Sequence, residues 1–173
     1  MAEIYNSNAN LKAAGVAVEF TPDNVKEYIK CSQDPIYFIE NYCQIVTLDH
    51  GLQLFKLYDC QKRKVDIIHN NRRVILMEGR QQGKTTTSAA YILWYTLFQS
   101  NKTVAILANK ATAAREVLDR YQIMYEMLPQ WMQQGVTGWN KGDIELENGS
   151  KVFTAATGKS GIRGKSVNLL YVD

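Results

Sequence analysis

Residues 74–87 read Val-Ile-Leu-Met-Glu-Gly-Arg-Gln-Gln-Gly-Lys-Thr-Thr-Thr: an apolar run, a loop of glycine and glutamine, then Gly-Lys-Thr opening a stretch of helix formers. That order is the layout of a phosphate cradle. Gly83 lets the backbone curl so that successive N–H groups face an anion, and the helix starting there adds its positive end. Lys84 is placed to meet the β- and γ-phosphates of a nucleotide and the Thr85 hydroxyl to meet Mg²⁺, so the chain is expected to bind ATP. The pattern G-x-x-x-x-G-K-[ST] wants glycine where this chain has Glu78, with Gly79 one place late, so the cradle is a variant. The competing reading is a strand-to-helix turn whose Gly-Lys-Thr is accidental. The strand pattern before it and the helix pattern after it favour the cradle.

Downstream, Thr85 to about Gln99 reads as a helix, Thr103 to Ala108 as a buried strand, and Ala111 to Leu128 as a helix closed by Pro129. With Val74 to Met77 as a first strand, this β-α-β-α order implies a parallel sheet with right-handed crossovers. Asn148-Gly149 at the tip of the alternating segments in Ile144 to Phe153 predicts a tight hairpin. Asn168 to Asp173 is an apolar strand ending in an acid. Upstream, Thr21-Pro22-Asp23 and Asp34-Pro35 are helix starts, giving short helices over 22–31 and 35–44. Leu54 to His69 reads as another helix, carrying Gln61 and the basic run Lys62-Arg63-Lys64. The first twenty residues show no period and read as a flexible arm. The chain then divides into the arm 1–20, a helical segment 21–70 and the cradle-bearing core 71–173. Tyr37, Phe38, Tyr42 and Ile45, with Trp131 and Trp139, read as packing residues rather than a base-stacking platform.

At 173 residues, 46% of them hydrophobic and 21% charged, the composition is that of one soluble globular domain. Twenty Lys and Arg against 17 Asp and Glu leave a net charge of only +3, so charge alone marks no nucleic-acid coat. The N-terminus lacks a basic stretch followed by an apolar run, and the apolar segment from Tyr91 to Phe98 is too short to cross a bilayer, which predicts a cytosolic protein without a membrane partner. Cys31, Cys43 and Cys60 fall in no C-x-x-C spacing, which suits a reducing compartment. Cys43, His50 and Cys60 match no zinc signature.

Asp173 is the second residue that carries chemistry. In ATPases with such a cradle, an apolar strand near the cradle strand ends in an Asp that orients the Mg²⁺ water shell beside the hydroxyl, here Thr85. The plainer reading is a strand ending in a surface acid. Its place two β-α units after the cradle favours the metal role. The residue that deprotonates the attacking water is usually a Glu directly after that Asp, and the sequence has no residue 174.

Five stretches, taken together, span residues 34–173: Asp34-Pro35-x-x-Phe38-Ile39-x-x-x-Cys43; Leu57-Tyr-Asp-Cys-Gln61-Lys; Gly79-Arg80-Gln81-Gln82-Gly83-Lys84-Thr85-Thr86; Gly161-Ile-Arg163-Gly164; and Leu169-Leu-Tyr-Val-Asp173. This set resembles the N-terminal ATPase part of the large terminase subunit of tailed bacteriophages. The resemblance implies a P-loop, RecA-like α/β fold: a mostly parallel sheet with helices on both faces and a helical N-terminal segment. It implies ATP hydrolysis, in the intact protein, driving double-stranded DNA into a procapsid. The partners implied are DNA, a portal protein, a small terminase subunit and further copies in a ring on the portal, in the host cytoplasm and transiently at the procapsid. By the same resemblance Gln61 would read adenine and Gly79 to Thr86 would contact the nucleotide. Arg80 would act as a finger on the γ-phosphate, and Arg163 would couple nucleotide state to the motor or touch DNA phosphates. The catalytic set is then Lys84, Arg80 and Asp173, with Thr85 and Asp173 on the metal.

The chain departs from that family in length, because large terminases continue into a catalytic Glu, a coupling motif and a nuclease domain. In this branch of ATPases a later strand also inserts between the cradle strand and the Asp strand. The 173-residue chain is therefore expected to leave Val74 to Met77 and Leu169 to Val172 without that neighbour, and to bind ATP while hydrolysing it slowly. A helicase-like ATPase and a catalytically silent nucleotide-binding fragment are the alternatives.

Overall fold

The computed structural model describes residues 4–47, 49–158, 162 and 164–173. The two helix starts form as their residues dictate. Thr21 Oγ1 accepts the Asn24 N–H at 3.1 Å ahead of α1 (Pro22–Gln33), and Asp34 Oδ1 accepts the Tyr37 N–H at 2.9 Å ahead of α2 (Pro35–Tyr42). Each cap satisfies an amide that the first helical turn cannot. Phe38, on the inner face of α2, is fully buried, stacked on Tyr42 and edge-on to Phe98. These aromatics are core residues.

Further elements are α3 (Asp59–Asn70), α4 (Lys84–Phe98), β5 (Thr103–Ala108), α5 (Ala111–Glu126), β6 (Val136–Trp139), β7 (Asp143–Leu146), β8 (Lys151–Ala156) and β9 (Leu169–Val172); β1 to β4 form two separate hairpins placed below. A five-stranded sheet runs β6-β7-β8-β5-β9. α4 is apolar on nearly every side because it is enclosed: Ala89, Ala90, Ile92, Leu93 and Leu97 are all buried, and it packs against α5, α2 and α3. Trp94 joins it to α1 through an Nε1–H bond of 2.8 Å to the Cys31 carbonyl.

The sheet is mixed, and this corrects the mostly parallel arrangement expected. β5 runs parallel to β8 and β9, whereas β6-β7 and β7-β8 are antiparallel. The Asn148-Gly149 turn, with Gly149 at φ +79°, folds β7 back on β8, and β6 extends the meander. Val74 to Met77 is not a strand. It pairs with nothing among the described residues, and Ile75 and Met77 are 92% and 95% exposed. A strand exists only through a partner's hydrogen bonds, so a β-prone stretch without a neighbour stays unassigned. β9 has β5 on one side and no strand on the other among the described residues, leaving Leu170 and Val172 exposed.

Two local readings also differ. β3 (Gln44–Thr47) and β4 (Gly51–Leu54) form a hairpin ahead of the helix expected from Leu54. The chain then stays extended to bury Phe55 and Leu57 before α3 begins at Asp59. The stretch expected as a flexible arm instead holds the hairpin β1 (Ile4–Tyr5) and β2 (Asn8–Lys12), docked by Leu11, which is 1% exposed. Its anchor is Gln133. The buried amide accepts the Lys12 N–H at 3.0 Å and donates to the carbonyls of Asn10 and Leu128 at 2.9 Å each. Glu147 adds a second tie, accepting the Gly15 and Gly135 amides and pairing with Lys12 at 3.5 Å. Gln133→Ala strands a buried amide and two carbonyls and is expected to destabilise the chain by about 2–4 kcal/mol. Urea unfolding measures this, and a loss below about 0.5 kcal/mol would mean the hairpin does not depend on Gln133.

Candidate functional site

The site forms where the 78–84 loop turns into α4. Gln81 and Gly83 both take left-handed conformations, at φ +62° and +71°, so the backbone curls twice within three residues. Successive turns of this kind aim amides into one concavity. Gly83 is needed at the second turn. An L-residue there would be strained, and its Cβ would stand 2.5 Å from Gln61 Nε2. Gly83 is also the residue before α4, and no side chain caps that helix. The amides of its first turn are left for an outside acceptor.

Lys84 and Asp173, 89 positions apart in sequence, meet here: Lys84 Nζ lies 3.2 Å from Asp173 Oδ1, and both side chains remain partly open to solvent. β9 delivers the acid, its end fixed by the Asp173 N–H to the Leu107 carbonyl at 2.9 Å. The Tyr171 hydroxyl donates to Asp173 Oδ1 at 3.2 Å. Burial pushes that hydroxyl up to about 12, the Asp173 charge adds to the rise, and hydrogen bonds from Ser88 and Thr85 oppose it. Tyr171 therefore holds Asp173, one of the two residues expected from the sequence to meet a metal.

Gln61 lies beneath the loop rather than at its mouth. It is 5% exposed, its Oε1 accepts the Tyr58 N–H at 3.0 Å, and its Nε2 donates to the Gln82 carbonyl at 3.1 Å. One amide hydrogen and one lone pair are left over. Gly79, Arg80, Gln81 and Gln82 line the exposed rim of the loop. Among the described residues Arg80 forms no ion pair. Thr86 borders a groove of about 380 Å³, lined also by Gln44, Ile45, Val46, Arg120 and Ile123, and neither Lys84 nor Asp173 lines it. Arg163 and Gly161 lie outside the described residues.

Lys64 and Glu78 are the neighbours that sequence reading passed over. Lys64 is 2% exposed and bonds to Glu78 Oε2 and to the Lys84 carbonyl, each at 3.2 Å. A signal was present: Gln61, Lys64, Val65 and Ile68 recur at i, i+3, i+4 and i+7, the inner face of α3, so this lysine is not part of a solvated basic run. Tyr171 could have been inferred from strand alternation, two residues before Asp173 on the same side.

Compared with known protein families, residues 75–173, more than half of the chain, match the family model described as terminase large subunit, T4likevirus-type, N-terminal. The match takes in the 78–84 loop, α4, the five-stranded sheet and Asp173.

Proposed function

Because this chain belongs to the T4-like-virus type of terminase large subunit, as its N-terminal part, we propose that it is the ATP-binding, ATP-hydrolysing portion of a DNA-packaging motor. The observation that carries the reading is the meeting of Lys84 and Asp173 at the uncapped start of α4, whose first turn also holds Thr85. The donor set suits a magnesium nucleotide: an ammonium, a curled run of amides and free helix-end N–H groups for phosphates, with a carboxylate and a hydroxyl for the cation. Among the described residues no three His, Cys, Asp or Glu side chains cluster, so phosphate and water would complete the cation's shell.

Bound Mg-ATP would supply a γ-phosphoryl group open to in-line attack by water. Lys84 would neutralise phosphate charge, and Asp173, whose Oδ1 accepts the Tyr171 hydroxyl, would hold the cation with Thr85. Arg80, exposed on the rim, can reach charge that develops during transfer. Within this proposal the sheet is the RecA-like core of a P-loop ATPase. The partners are double-stranded DNA, the portal, the small terminase subunit and further copies of the chain in a ring, met in the host cytoplasm at the procapsid. No helix among the described residues is long and apolar enough to cross a membrane.

Gln61 reads the base through its remaining amide hydrogen and lone pair while its other two hydrogen bonds hold the loop. Gln61→Ala is expected to bring the affinities for ATP and GTP to within about threefold of each other, by loss of one or two net hydrogen bonds to adenine. Competition binding with both nucleotides decides it. A lower affinity for both with an unchanged ratio would make Gln61 a support for the loop alone.

A further inference from the structure

α3 touches the 78–84 loop at three points through two side chains one helical turn apart. Gln61 holds the Gln82 carbonyl, and the Lys64 ammonium holds both the Glu78 carboxylate and the Lys84 carbonyl. Glu78 enters the loop and Lys84 leaves it, so one buried nitrogen ties the two ends together. The same Lys84 carbonyl also accepts the Ser88 hydroxyl at 2.9 Å. A carboxylate so close to a helix start is an awkward neighbour for an incoming polyanion. It takes the place where the cradle pattern asks for glycine, and its charge opposes that of phosphate. Lys64 is the only cation paired with it among the described residues.

We infer that Lys64 is a positioning residue for nucleotide binding: it neutralises Glu78 and holds that carboxylate against α3, so that the field at the curl of amides stays favourable to phosphate. The inference rests on the nucleotide site proposed above. Lys64 is buried, at 2% side-chain exposure, and the Glu78 side chain is partly covered at 24%, so the pair is screened less than one fully in solvent. Desolvation lowers the pKa of Lys64, and the carboxylate of Glu78 works against that shift to keep the ammonium charged. Removing Lys64 leaves an unpaired anion within one helical turn of the α4 start. Removing both charges leaves a neutral contact of similar bulk. If charge at this spot matters, the second change repairs the first.

The test is Mg-ATP affinity by calorimetry for the wild-type chain, Lys64→Met, and the double variant Lys64→Met with Glu78→Leu, each with its thermal unfolding midpoint. Lys64→Met is expected to weaken binding about tenfold or more, and the double variant to recover to within about threefold of wild type. A role confined to holding the fold would move the midpoint and not produce this recovery. A Lys64→Met chain that binds as wild type does, or a double variant no better than the single one, overturns the inference. If Lys64→Met does not fold, the double variant alone decides: wild-type-like affinity supports the inference, and affinity tenfold or more below wild type overturns it. Failure of the wild-type chain to bind Mg-ATP would instead remove the nucleotide site, and this inference with it.

Discussion

Lys84→Ala is expected to weaken Mg-ATP binding by about a hundredfold or more. Hydrogen bonds to a charged partner contribute about 1.5–3 kcal/mol each, and a lysine spanning two phosphates makes two of them, about 3–6 kcal/mol together. Little else at the loop can replace it. Arg80 is on the exposed rim and Lys64 is committed to Glu78, so Lys84 is the cation best placed at the α4 start. The variant should fold normally, because the Lys84–Asp173 pair is partly exposed and such pairs contribute about 0–1 kcal/mol. Calorimetric titration with a matched thermal unfolding curve separates the two effects. Undiminished affinity in a folded variant would remove Lys84 from the phosphate site.

Asp173→Asn is expected to act on the metal dependence rather than on binding in general. In the wild-type chain Mg²⁺ should strengthen ATP binding, because Asp173 needs the cation between itself and the phosphates. Asparagine removes both the repulsion and the reward. The variant should therefore bind ATP without Mg²⁺ more tightly than wild type does, while the gain on adding Mg²⁺ falls from about tenfold or more toward none. Parallel titrations in magnesium and in EDTA read this directly. A variant that keeps the full wild-type magnesium gain would show that Asp173 does not meet the cation.

How far the sequence reaches is clearest at this site. The elements that bring Lys84 to Asp173 were legible because each is fixed by local pattern: a glycine that permits the curl, a helix-forming run after it, and an apolar strand ending in an acid. Thr103 to Ala108 was legible to the residue, since a short apolar run between turn signals has few other fates. What escaped depends on partners distant in sequence. Val74 to Met77 has strand composition but no neighbour, and the direction of β6 and β7 follows from the Asn148-Gly149 turn rather than from the alternation of strands and helices. Lys64 sits in a run of three basic residues that resembles a solvated face, and only its register with Gln61 and Val65 turns it inward. Gln133 gave no signal at all, because a buried amide is recognised by the carbonyls around it. The membership in the terminase family rested on motifs dispersed over residues 34–173, and the family match covers the part that holds the loop and Asp173.

The central claim is that Lys84, Thr85 and Asp173 form a magnesium-nucleotide site, and titration of Mg-ATP into the wild-type chain tests it most directly. The account predicts saturable binding of one nucleotide per chain, tighter with ATP than with GTP and stronger with magnesium than without. No saturable binding up to about 1 mM nucleotide, an affinity weaker than about −4 kcal/mol, would contradict it.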